Sequence, residues 1–293
     1  MSSSNIHTIV VMDTLVSIRT VGHDDPGAVE RAFDWFHRIE RVCSRFDATS
    51  EVRQLASRPN EPIPVSDILF GTASFALALA EETGGAFDPT VGQRMEQRGF
   101  DRNYRTGEPI GNTVTADSTP TYRDVHIDEH ERTLMLDRSL VLDLGAVAKG
   151  FAIDMAAQEL RHLENFAIDA GGDLFLSGHN EHDLPWRVGI RHPRDAKMTI
   201  AEVEVSSVAV CTSGDYLRRN PDGEHHIMDP RTGDAMNAVI SATVTAPLAI
   251  VADGLATAAF VLGPQDGIAL LERHGVEGLL ISPTLEHFRT RAS

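Results

Sequence analysis

The stretch His225-His226-Ile227-Met228-Asp229-Pro230-Arg231-Thr232-Gly233 packs two imidazoles, a carboxylate, a guanidinium and a hydroxyl beside a proline and a glycine that break regular structure. Imidazole is the side chain suited to taking up a proton near neutral pH, with the carboxylate of Asp229 the alternative base. Upstream, Cys211-Thr212-Ser213-Gly214-Asp215-Tyr216 ends an apolar run containing Val203, Val205, Val208 and Val210. A strand that ends in small hydroxyl residues and glycine delivers polar groups into a cleft. Standing alone, the stretch reads as a turn with exposed histidines rather than as a catalytic segment.

A second chemical pair lies on the helix expected after Pro247. Asp253 and Thr257 are four apart, so a helix sets carboxylate and hydroxyl on one face, a turn apart. Both are hard oxygen donors of the kind that hold Mg²⁺ together with backbone oxygen, water and phosphate. The surrounding residues, Ile250 to Val261, are mostly apolar. The helix is therefore expected to be buried, and a buried carboxylate needs a partner. A third candidate is Asp143-Leu144-Gly145-Ala146-Val147-Ala148-Lys149-Gly150, a turn of small residues into a helix, where backbone N–H groups and Lys149 can meet phosphate. It lacks the glycine spacing and Lys-Ser/Thr pair of a Walker A loop.

The elements that position these groups can be read in order. Ile6 to Ile18 reads as a strand with a polar break at Met12-Asp13-Thr14, and a helix is expected from Asp24 to about Val42, with Val29, Phe33, Phe36 and Ile39 at helical spacing. Ser66 to Thr83 is a second helix, ended by Gly84-Gly85. Ala86 to Gly92 reads as a turn, and residues 101 to 120 as a surface excursion. A hairpin pairs Val125 and Ile127 with Leu134 and Leu136. Val141 to Leu144 is expected as a strand feeding a helix that reaches about Leu163. Phe166 to Asp173 is a strand ending in Gly171-Gly172, a tight turn or bare backbone on which a flat ligand can lie. Strands follow at Trp186 to Ile190, Ala201 to Val205, Val208 to Val210 and Ile240 to Thr245, with helices from Pro247 to Leu262 and near Gln265 to His274, then two short closing strands. Runs of strands without βα alternation make the class α+β.

Composition narrows the function. The 293 residues carry a formal charge of −17, which disfavours nucleic acid and anionic membrane surfaces as partners. Binding an anionic ligand then requires a divalent cation, placed cations or backbone N–H groups. Cys43 and Cys211 form no disulfide framework or zinc motif. The first residues lack a basic, apolar leader, and no uninterrupted apolar run is long enough for a membrane span, so the expected location is cytoplasmic.

Taken together, Met12-Asp13-Thr14, Phe87-Asp88-Pro89-Thr90-Val91-Gly92, Asp143 to Gly150, Gly171-Gly172-Asp173, Thr212 to Tyr216, His226 to Gly233 and Ala252-Asp253 with Thr257 resemble, in order, the motifs of the ApbE family, the flavin transferases. The resemblance covers nearly the whole chain. It implies one α+β domain over residues 1–293, with mixed or antiparallel sheets, flanking helices and two lobes around an FAD cleft. It further implies Mg²⁺-dependent transfer of FMN from FAD to a Ser or Thr hydroxyl of an acceptor protein, with release of AMP. By this resemblance Asp253, Thr257 and the carbonyl of Ala146 hold Mg²⁺, and His226 is the general base. Met12, Phe46, Ala86, Phe87, Asp88 and Asp143 line the flavin nucleotide, Lys149 steadies phosphate, and Gly171, Gly172, Thr212, Ser213, Gly214 and Ile227 complete the cofactor-binding set. The chain departs from the family pattern at Asp13, where many relatives have Gly, at Ala56, where an Asn often stands, and at Ala256, where some members carry an additional acidic metal ligand. Two other functions suit the same motifs: an FAD pyrophosphatase that uses water as acceptor, and a protein that binds FAD without turnover.

Overall fold

Residues 4–21 form a hairpin where one interrupted strand was expected. Strand β1 (Ser4–Val11) runs antiparallel to β2 (Thr14–Val21), with Val11 opposite Thr14, so Met12 and Asp13 alone make the turn. Their φ angles are 51° and 57°, the left-handed pair that a two-residue turn needs to match strand twist. Neither residue is the glycine that normally signals such a turn. The computed structural model describes residues 2–102, 119–216, 219–220 and 223–291. Residues 103–118, most of the excursion expected at 101–120, lie outside the described residues.

Two compact units emerge, and the division falls inside two helices, α1 (Pro26–Cys43) and α5 (Gly145–Leu160). The first unit comprises Met1–His37, Lys149–Leu217 and Asn237–Ser293. Its centre is an eight-stranded sheet in which every neighbouring pair is antiparallel, in the order β1, β2, β6 (Phe166–Ala170), β7 (Asp173–Ser177), β10 (Val208–Gly214), β11 (Ser241–Ala246), β12 (Glu277–Ile281) and β13 (His287–Arg289). Strand alternation gives each face its own task. On one face Cys211 and Ser213 of β10 meet α6 (Ala249–Arg273), while Val210 and Thr212 point the other way. Helix α6 is long and apolar enough to cross a membrane, but it is largely buried against the sheet and is broken at Gly263, whose φ is 82°, just before Pro264. That break separates the two helices expected from the sequence. The opposite face carries a two-stranded ribbon, β8 (Trp186–Arg191) paired with β9 (Thr199–Val205). Trp186 and Val188 pack with Leu174 and Leu176, and Ile190 with Leu279 and Ile281.

The second unit comprises Arg38–Ala148 and Arg218–Met236. Helix α2 (Glu51–Ala56) begins at Ser50, whose hydroxyl accepts the Arg53 amide, and α3 (Asp67–Glu82) begins at Ser66, whose hydroxyl accepts the Leu69 amide. A three-stranded sheet sets β5 (Thr133–Leu136) between β3 (Ile63–Pro64) and β4 (Val125–Asp128). Its register, Val125 opposite Leu136 and Ile127 opposite Leu134, is the one the alternating pattern predicts. Helix α4 (Gly92–Gln97) follows a single 3₁₀ turn at Pro89–Val91. Val141 to Leu144 is a buried coil and no strand: Val141, Leu142 and Leu144 are buried, and the Asp143 amide donates to the Pro89 carbonyl at 2.7 Å. Apolar content marked this stretch as buried; pairing was the wrong inference.

Candidate active site

In the first unit the carboxylate of Asp253 is 6% exposed and accepts the Gly150 amide at 3.0 Å. This supplies the partner that burial demands. One turn later on α6, the Thr257 hydroxyl is 2.9 Å from that of Ser213 at the end of β10. Gly150 permits the arrangement because it has no side chain: a Cβ there would sit 2.4 Å from the Ala249 carbonyl oxygen and 2.7 Å from the Ile250 Cα. The backbones of α5 and α6 therefore touch at this point. Asp154, one turn further along α5, accepts the Ala249 amide at 2.7 Å and the Ile250 amide at 2.9 Å, satisfying two of the free N–H groups at the start of α6. Burial pushes its carboxyl up to about 6, against the two amide bonds.

Lys149 pairs with the buried carboxylate of Asp173. Burial opposes its charge, but Asp173 and then Asp253 outweigh burial and hold the ammonium well above the ordinary lysine range. It is a permanent cation set against two carboxylates, and its first task is to compensate them. Asp173 also accepts the Thr212 amide at 2.9 Å, and the Thr212 hydroxyl lies 2.9 Å from that of Thr243. Gly171 is required for packing, since a Cβ would approach the Thr14 hydroxyl to 2.2 Å, whereas one at Gly172 would meet nothing within 4 Å. Gly214 has its own steric reason, because a Cβ would come 2.4 Å from the Tyr216 ring. Met12 stands in the β1–β2 turn, half-buried. Both cysteines are buried thiols, with burial pushing Cys43 up to about 12, so neither is a nucleophile.

In the second unit Arg45 organises the nucleotide-site candidates. Its Nε donates to Asp143 at 2.9 Å, its Nη2 to the Phe100 carbonyl at 2.9 Å, and its guanidinium lies 4.1 Å from the Phe46 ring centroid. Asp143 uses its other oxygen to accept the Gly145 amide at 2.9 Å, which fixes the entry to α5. Ala146 is in the first turn of that helix, half-buried. Arg53 and Glu96, paired at 2.6 Å, extend the buried network. No spacing in the sequence announced Arg45 or Asp154. For Asp154 a lone charge among apolar neighbours is the only signal, and Arg45, between Ser44 and Phe46-Asp47, has none.

Ala86 and Phe87 are buried, and the Asp88 carboxylate is consumed locally: one oxygen takes the Thr90 amide and hydroxyl at 2.9 and 2.7 Å, the other the Tyr122 amide at 2.9 Å. Burial nevertheless pushes its carboxyl up. Gly92 is a packing glycine, since a Cβ would lie 2.5 Å from the Val141 carbonyl oxygen.

The histidine segment is held against α4. Arg94 donates to the Pro230 carbonyl, Arg98 to the Gly233 carbonyl at 2.9 Å, and Met228 packs on Met95 and Phe100. The adjacent imidazoles differ. His225 is buried, with Nε2 donating to the Met236 carbonyl at 2.7 Å. His226 is half-buried and meets the Phe100 ring edge-on, centroids 6.4 Å apart. Ile227 is buried behind it. Asp229 forms a two-point pair with Arg231 at 2.9 and 2.7 Å, and Arg231 holds its carboxyl below the usual range. A depressed, occupied carboxylate is a poor base near neutral pH.

The donors suit a hard cation. Asp253 brings a carboxylate and Thr257 a hydroxyl from the same helix face. Among the described residues no three His, Cys, Asp or Glu side chains form a metal cluster, so a soft-ligand or zinc-type centre has no ligand set there.

The ApbE family model matches residues 12–280. The FAD:protein FMN transferase of Treponema pallidum is 35% identical over 292 residues, covering 91% of this chain and 79% of the relative. That of Vibrio cholerae is 34% identical over 243 residues, covering 80% and 72%. In structure, the ApbE protein of Thermotoga maritima superposes with a TM-score of 0.86 at 31% identity, over 99% of this chain and 97% of that one. With the family pattern matched from the Met12 turn to the strand beyond α6, and the same α+β architecture throughout, the chain belongs to the ApbE family.

Proposed function

We propose that the protein transfers FMN from FAD to a Ser or Thr hydroxyl of an acceptor protein, releasing AMP. The observation that carries this reading is the buried Asp253, tied to the Gly150 amide and followed one turn later by the Ser213–Thr257 hydroxyl pair, in a chain whose relatives are named FAD:protein FMN transferase. Asp253 and Thr257, with the Ala146 carbonyl, would hold Mg²⁺, which when bound neutralises diphosphate charge. The acceptor oxygen bonds to the FMN phosphorus, the P–O bond to AMP breaks, and the hydroxyl proton passes to His226. His226 suits that role better than its neighbours, since His225 is committed to the Met236 carbonyl and Asp229 to Arg231. Arg45 keeps Asp143 and Phe46 in place for the nucleotide. The proposed setting is cytoplasmic.

Incubation with FAD, Mg²⁺ and a protein bearing a Ser/Thr-Gly-Ala-Thr-like segment, followed by intact-mass measurement, tests the reading. A mass gain of one FMN with equimolar AMP is expected. AMP and free FMN without labelling would instead assign an FAD pyrophosphatase.

A further inference from the structure

On the face of the large sheet opposite α6, the first unit holds a groove of about 500 Å³ between β8 and strands β2, β6, β7 and β10. Its apolar surface includes Leu174, Val188 and Val210. Its walls reach solvent at Asp169, Gly172, Arg187 and Arg191. A small ligand is normally enclosed over most of its surface; this groove is only half enclosed, which suits an extended segment better.

Two features tie the groove to the reacting groups. Thr212 lines it, while the next residue, Ser213, faces the other side of the sheet, where its hydroxyl meets that of Thr257. The Gly171-Gly172 turn also borders it, and with open space where a Gly172 Cβ would be, the backbone there is bare. Beyond the groove the same sheet face stays uncovered: Ile6, Val10 and Leu15 are 57%, 70% and 58% exposed, and the register sets Val10 opposite Leu15 and Ile6 opposite the groove residue Arg19. Three large apolar side chains in register on one face mark an interaction surface more than scattered exposure does.

The charges select the occupant. In a chain of net charge −17 the groove gathers Arg19, Arg187 and Arg191 against Asp169. Arg187 pairs with Glu202, and Arg19 lies 3.7 Å from Glu181. Arg191 lies 5.6 Å from the Tyr216 ring centroid, and among the described residues no carboxylate pairs with it. We infer that this groove seats the acceptor polypeptide: an extended segment with apolar side chains toward Leu174, Val188 and Val210 and a carboxylate opposite Arg191, its protein body resting on Ile6, Val10 and Leu15. The inference rests on the flavin-transfer reading given above.

Its test compares wild type with Arg191→Glu and with the exposed-face double variant Val10→Lys/Leu15→Lys, using the same acceptor protein. Arg191→Glu should raise the acceptor KM about tenfold and the double variant by a similar factor, with FAD Kd and kcat at saturating acceptor within about twofold of wild type. Salt should raise the wild-type acceptor KM, and less so that of Arg191→Glu. Unchanged acceptor KM in both variants overturns the groove assignment. So does a change of oligomeric mass by light scattering with KM unchanged, which would make the face an interface between copies. Failure of the wild type to label any acceptor overturns the flavin-transfer reading itself, and the groove inference with it.

Discussion

The Gly150 amide lies 3.0 Å from Asp253 Oδ2, so the backbone of one buried helix holds the carboxylate of another. The contact depends on a missing side chain, because a methyl group on Gly150 would lie 2.4 Å from the Ala249 carbonyl oxygen. Backbone cannot yield as a side-chain tip can. Gly150→Ala should therefore destabilise the protein by about 1–3 kcal/mol, as overpacking does, and should weaken divalent-cation binding by moving Asp253. Urea midpoints and a metal titration check both; a variant with wild-type stability and metal affinity would rule out the close approach.

Asp253→Asn leaves the fold's volume unchanged but removes a charged oxygen. Half-maximal activity should require about one to two orders of magnitude more Mg²⁺, and EDTA should abolish wild-type turnover. Full turnover after verified metal removal would exclude the metal assignment.

Asp154 gives a pH dependence with a definite sign. Burial raises its folded-state pKa to about 6, above the value of about 3.9 in an unfolded chain. Between these values the folded state binds a proton that the unfolded state does not. The contribution is present in full below about pH 4 and is lost as pH rises through about 6, a change of roughly 3 kcal/mol at one pKa unit per 1.36 kcal/mol. Asp154→Asn should remove this slope, so its stability relative to wild type should rise across that window. Parallel urea curves at pH 4, 5, 6 and 7 provide the comparison.

Sequence alone carried the pieces whose periodicity is strong. The β4–β5 register followed from alternation of Val125, Ile127, Leu134 and Leu136, and the break in α6 from Gly263-Pro264. The β1–β2 turn was missed because Met12 and Asp13 adopt positive φ without glycine. Of the candidate site, Asp253 and Thr257 were legible because helical spacing is local. Gly150 as the partner of Asp253 was not, being set by the approach of two helices about a hundred residues apart in the chain. Lys149 was expected at phosphate, yet its ion pair with Asp173 depends on a sheet neighbour that no local pattern reveals.

The last prediction separates chemistry from scaffolding at the paired histidines. His226 is half-buried against the edge of Phe100, in a segment fixed by Arg94, Arg98 and Met228. If its imidazole takes the acceptor proton, His226→Ala should lower kcat by about two to four orders of magnitude while FAD binding and thermal stability remain near wild type. His225 is buried and donates to the Met236 carbonyl, so its loss leaves an interior acceptor unmet. His225→Ala should cost about 1–3 kcal/mol of stability, with a smaller loss of kcat under conditions where the variant is fully folded. Asp229→Asn should likewise affect stability more than rate, because Arg231 already holds that carboxylate ionised. Stopped-flow transfer rates read beside urea midpoints distinguish the three positions. A stable His226→Ala variant with wild-type kcat would remove it as the base, and a folded His225→Ala variant with the larger loss would move that role one residue along the chain.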